Sequence, residues 1–204
     1  MFASRMALNS LAAVALAASL LASPALHAQA PQTARASGIV ERIDGSNLTL
    51  KTAQGNRAVT LSSDASFFAL VKATLADIKP GVFVGVGASP QADGSQQAIR
   101  VMIFPESMRG LGEGHRPWDR PGTTMTNATV ENAVTGVDGQ VLNVKYKGGE
   151  KKIVIKSDAA ILTYVATDRN ELKPGANVTV SGTSKPDNAI EANRVTISRG
   201  GVTL

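Results

Sequence analysis

Between residues 38 and 103 the apolar positions alternate with polar ones, and the same alternation returns after residue 130. Leu48 and Leu50 are separated by Thr49, Val59 and Leu61 by Thr60, and Val82, Val84 and Val86 follow strict period two. Ile99, Val101 and Ile103 end the first stretch, after an apolar run from Phe67 to Val71. In the second stretch Leu142, Val144 and Tyr146 alternate, then Ile153 and Ile155, then a run from Ile161 to Val165. Val178 and Val180, then Val195 and Ile197, complete it. Period two broken by turn residues such as Asp44-Gly45 and Gln54-Gly55 predicts half-buried antiparallel strands. One non-strand element is expected in each stretch, at Thr74 to Ile78 and at Asp168 to Leu172. Each begins with a capping residue and stops before a Pro-Gly, which suits one short helix.

The two stretches are related in a single register. Ile43-Asp44-Gly45 recurs as Val137-Asp138-Gly139, a shift of 137 − 43 = 94 residues. The same shift carries Ser63-Asp64-Ala65 onto Ser157-Asp158-Ala159, Lys79-Pro80-Gly81 onto Lys173-Pro174-Gly175, and Arg100-Val101 onto Arg194-Val195. From Val40 to Ile103, 20 of 64 positions are identical without a gap. Two copies are too few for a solenoid, so the pattern reads as a duplicated small domain. The expected fold is mainly β: two tandem small antiparallel β-barrels, OB-like or alternatively SH3-like, each with one short helix. The expected division is 1–30 leader, 31–103 first barrel, 104–129 connector and 130–204 second barrel.

The leader has Arg5 ahead of an apolar run of about 12 residues, Leu11 to Ala22, then Pro24 and Ala28-Gln29-Ala30. That order fits a secretory signal peptide cut near Ala28 or Ala30. The run is shorter than the roughly 20 residues of a spanning helix. The mature chain is therefore expected to be periplasmic or secreted, without a transmembrane segment. Of 21 basic residues the leader takes only Arg5, leaving 20 against 16 acidic. That balance is mildly basic and is no nucleic-acid signature. There is no cysteine, which excludes disulfides and thiolate chemistry.

The connector, Phe104 to Thr129, is rich in Gly, Pro and charge, and holds the only tryptophan, Trp118, and the only mature histidine, His115. Trp118 is expected to pack on one or both β units. FPESMRGLGEGHRPWD followed by TMTNATV, together with LADIKPG and YKGGEKKIVI, resembles a family of exported bacterial proteins catalogued as a domain of unknown function. Some members of that family carry the label of a metal ABC transporter permease. The resemblance implies no activity and no catalytic residues.

Three chemistries compete. Glu113, His115 and Asp119 lie within seven residues and offer imidazole and carboxylates to a divalent ion, which makes a metal-handling protein one alternative. An enzyme would have to use His115, since no nucleophile elbow or phosphate loop is present. The preferred expectation is a non-catalytic binding or adaptor module without a cofactor. Its surface would comprise Trp118, Arg116, Lys151 and Lys152, and its partner would be an envelope protein or an anionic envelope component. Nucleic acid is disfavoured, because the few aromatics fall at core or connector positions.

Overall fold

The computed structural model describes residues 32–136 and 139–202. The expected leader, 1–30, with its expected cleavage site, and the expected Val137-Asp138 turn lie outside the described residues. The remainder is mainly β. The first half supplies β1 (Thr33–Asp44), β2 (Asn47–Thr52), β3 (Gly55–Lys72), β4 (Phe83–Pro90) and β5 (Gln96–Ile103). The connector contributes β6 (Gly114–Pro117). The second half supplies β7 (Thr124–Gly136), β8 (Gly139–Tyr146), β9 (Gly149–Lys156), β10 (Ala160–Ala166), β11 (Asn177–Ser184) and β12 (Ile190–Ser198). Among the described residues, no helix is long and apolar enough to cross a membrane.

Alternation turns one face of each strand inward, and closure hides that face completely. β1 pairs with β2, β2 with β3, β3 with β12, β12 with β11 and β11 with β1, which closes a small β-barrel. Four of these ladders are antiparallel and β3–β12 is parallel. The core inside is built from Leu48, Leu50 and Val59 of the first half and Val180, Ile190 and Val195 of the second. A second ring of pairings runs β4–β5–β9–β8–β7 and back to β4. It encloses Val84, Val86 and Val101 together with Leu142, Val144 and Ile153. Each fully buried Val, Leu or Ile contributes about 1.5–3 kcal/mol of transfer free energy, so neither core is complete without both halves.

This corrects the expected tandem arrangement. Barrels confined to 31–103 and 130–204 would have joined β4–β5 to β1–β3, and β11–β12 to β7–β9. Instead the halves exchange their last hairpins. The physical reason lies in the inward residues themselves. Val84 and Val86 stand where the other half has Val178 and Val180, and Val101 and Ile103 where it has Val195 and Ile197. At these four positions both hairpins present the same apolar residues, so alternation alone does not specify the partner. Strand β3 decides the matter. It is a single 18-residue strand where two were expected, and its far end runs beyond β2, keeps β12 on one side as far as Leu70 and pairs antiparallel with β10 on the other. That ladder is centred on Leu70 opposite Tyr164, two positions that differ by the same shift of 164 − 70 = 94.

The expected short helices are three-residue 3₁₀ turns, Leu75–Asp77 and Arg169–Glu171. The Asp77 carboxylate accepts from the Thr74 N–H at 2.8 Å and from its hydroxyl at 2.7 Å, and Asp168 accepts from the Asn170 N–H at 2.7 Å. Pro80 and Pro174 follow closely. The residue before a proline avoids helical backbone, so each turn stops before an α-helical ladder can propagate.

Candidate functional site at the connector

The connector is folded onto the second ring. The Phe104 N–H donates to the Phe83 carbonyl at 3.0 Å, and the two rings pack with centroids 5.5 Å apart. Met108 is buried. Arg109 pairs with Glu106 at 2.5 Å and donates to the Gly81 carbonyl at 2.9 Å, which ties the segment to the Pro80-Gly81 turn. The chain then doubles back through Gly110, Gly112 and Gly114, with φ of 81°, 58° and 130°. Left-handed backbone at three alternate positions explains the glycine run better than any phosphate-binding role. The return segment is β6, whose residues from Gly114 to Pro117 pair antiparallel with Asn127 to Thr124 of β7. Asn127 anchors it further, donating to the Leu111 carbonyl at 2.8 Å.

Trp118 closes the segment, and it packs on a β unit as expected. Its backbone N–H donates to the Thr123 carbonyl at 3.0 Å, and its six-membered ring rests on the backbone of Gly87 in β4. A methyl group at position 87 would overlap the ring. Phe104 covers Gly85 in the same manner, where a Cβ would come within 2.8 Å of its ring. The Arg120 guanidinium stands 5.9 Å from the Trp118 ring centroid, within cation–π range. The ring is half-buried, and Arg116 and Arg120 beside it are exposed. Gly85 and Gly87 are the residues that sequence reading missed. Their signal is the alternation Val84-Gly85-Val86-Gly87, in which a strand has a full inward face and an empty outward one.

The expected metal residues are drawn to different partners. The His115 Nδ1 shares a hydrogen bond of 2.8 Å with the Thr126 hydroxyl, and its ring stacks on Tyr146 with centroids 6.4 Å apart. Burial, followed by the nearby Lys151 charge, holds its pKa below the ordinary histidine value. Glu113 accepts from the Lys147 N–H at 2.9 Å, and Asp119 is exposed in the turn after β6. Among the described residues no three His, Asp or Glu side chains are grouped to hold a metal ion. Lys151 and Lys152 lie on β9, away from Trp118, and line an open groove of about 450 Å³ with Glu131, Asn132, Asn143 and Glu150. Trp118 and Arg116 belong to the connector, where Arg116 donates to the Gly112 carbonyl at 2.8 Å, and Lys151 of β9 lies near His115.

No curated protein and no solved structure matches the chain significantly. A family model described as Domain of unknown function (DUF5666) matches residues 37–102, the stretch from β1 to β5.

Proposed function

We propose that the chain is an exported, non-catalytic binding module. Two small OB-like barrels carry it, and its contact surface is the connector. Trp118 and Arg116 form the centre of that surface, Lys151 and Lys152 form a flanking electrostatic patch, and the partner is a component of the cell envelope. The observation that carries this reading is the seating of Trp118. A half-buried indole held over a glycine, with the exposed Arg120 over its ring and the exposed Arg116 two residues before it, has the composition of a recognition surface, where aromatic and arginine anchors dominate binding energy. The engagement of His115 with Thr126 and Tyr146 supports binding over acid–base work. The leader-like first 30 residues support the envelope as the place of action.

The test is retention on envelope material. The mature chain should sediment with an envelope preparation, and Trp118→Ala should reduce the retained fraction at least tenfold. Arg116→Ala should reduce it less. Equal retention of wild type and Trp118→Ala would remove the connector from the contact surface.

A further inference from the structure

The outer face of the sheet that joins the two rings carries arginines with no acidic counterpart. Their direction follows from the cores. Ala36, Val180 and Val195 point into the first ring, so their neighbours Arg35, Ser181 and Arg194 point out of it. Val86 and Val101 point into the second ring, so Gly87 and Arg100 point out. Register then sets the neighbours. Arg35 lies opposite Ser181, and Ser181 opposite Arg194, which puts the two arginines two strand spacings apart, about 10 Å, across a small residue. Arg100 lies beside Gly87, the seat of Trp118, and the same row continues through Met125 to Arg116.

Tyr164 stands between these groups on β10. It stacks on Phe104 at 5.6 Å and meets Phe68 edge-on at 6.2 Å. Burial pushes its phenol pKa up, and Arg35, Arg194 and Arg100 all act on it in the opposite sense. Among the described residues none of these three arginines has a carboxylate partner, whereas Arg109 and Arg199 do. Strands β4, β5, β10 and β11 contain no Asp or Glu, and neither does β3 from Ser66 onward; β1 carries Glu41 and Asp44 towards its far end, and Glu191 of β12 is paired with Lys185. Arg100 and Arg194 are half-buried without a counter-charge, a setting that favours an incoming anion.

The guanidiniums are spread along a face and do not converge on a pocket, so a single small anion meets too few of them. An extended polyanion meets them in sequence. Phe68, Phe104 and Tyr164 pack against one another, and Trp118 rests one ring face on Gly87, so successive bases would find no row of free rings to stack on. We propose that this arginine face seats an acidic polysaccharide, with its carboxylate or sulfate groups held by Arg35, Arg194, Arg100 and Arg116. The proposal rests on the binding-module reading and names its ligand class.

The experiment titrates the purified mature chain with polygalacturonate at low and at physiological salt. Wild type should bind, and the affinity should fall steeply with salt. Arg100→Gln/Arg194→Gln should weaken binding at least tenfold with an unchanged unfolding midpoint. Arg35→Glu, at an exposed position, should weaken it at least as much as either single Gln change. Lys51→Gln/Lys156→Gln, at exposed positions on β2 and β9 that belong to neither proposed surface, should stay within twofold of wild type. Binding by the arginine double variant equal to wild type would overturn the proposal. So would tighter binding of wild type to oligothymidylate or to anionic phospholipid vesicles than to polygalacturonate. If polygalacturonate does not bind while Trp118→Ala still loses envelope retention, the arginine proposal fails and the connector reading stands.

Discussion

At position 87 the side chain is a hydrogen atom, and Trp118 occupies the space that any larger group would take. Gly87→Ala should therefore lift the indole off β4, because the new Cβ, fixed to paired strand backbone, would overlap Cζ3 of the Trp118 ring. Overpacking of this kind costs about 1–3 kcal/mol. Trp118 is the only tryptophan, so its fluorescence reports the event directly. The expected result is a red-shifted emission together with a lower unfolding midpoint. An unshifted spectrum would mean that the ring is not held by Gly87. His115 offers a second residue-scale test. Its folded pKa is depressed, chiefly by burial. The folded state therefore resists protonation that the unfolded chain accepts near pH 6.5, the unperturbed value. Stability is full above that value and declines as pH falls through it towards the lower folded pKa. Urea midpoints from pH 8 to 5 should show a decline in wild type that is smaller in His115→Gln. Parallel profiles would show that the imidazole is equally solvated in both states.

The elements were legible in the sequence to the extent that a local period declares them. Alternation at Leu48-Leu50, Val84-Val86 and Val178-Val180 gave strands because each inward residue is apolar whichever ring it enters. The 3₁₀ turns were marked by Thr74 and Asp168 ahead of Pro80 and Pro174, although their shortness was not. The seat of Trp118 was half visible: the indole demanded a partner, while Gly87 read only as a gap in a strand. The arginine face was invisible, since Arg35, Arg100 and Arg194 become neighbours only through the strand exchange. The placement of the metal candidates was hidden for a related reason. Closeness in sequence put Glu113, His115 and Asp119 together, and β6 then sent His115 to Thr126 while Glu113 capped Lys147. One element-scale feature separates the halves. Register shifts fall at Gly87/Ala88 in β4 and at Ser181/Gly182 in β11, positions that correspond under the 94-residue shift. The first half carries Ala88 after its shift, whereas at Gly182 a Cβ would collide with the Glu191 carbonyl of β12. Gly182→Ala should open the β11–β12 hairpin and cost about 1–3 kcal/mol, read as faster amide exchange along β12. Exchange unchanged at Val195 and Ile197 would refute the tight packing of that bulge.

For the whole molecule, the exchange of hairpins makes the connector a covalent link between parts that no longer depend on it for contact. β4 and β5 are locked between β7 and β9, while β11 and β12 are locked between β1 and β3. A cut in the connector therefore yields two fragments that each supply part of both cores. Val84, Val86 and Val101 from one fragment remain buried against Leu142, Val144 and Ile153 from the other, and the first ring is shared in the same way. Such an interface resembles a domain core divided in two, the composition of obligate assemblies. With a protease site introduced into the glycine segment Gly110-Leu111-Gly112, the folded chain should be cleaved completely and still elute at its uncut size. The strand signal in circular dichroism should persist. Unfolding of the uncut chain should be a single transition, because neither ring survives loss of the other's hairpin. After cutting, the midpoint should fall and become dependent on protein concentration, since the loop-closure advantage of the covalent link is lost. Barrels closed within each half would give the opposite result: two separable folded fragments, with midpoints indifferent to concentration and to the cut.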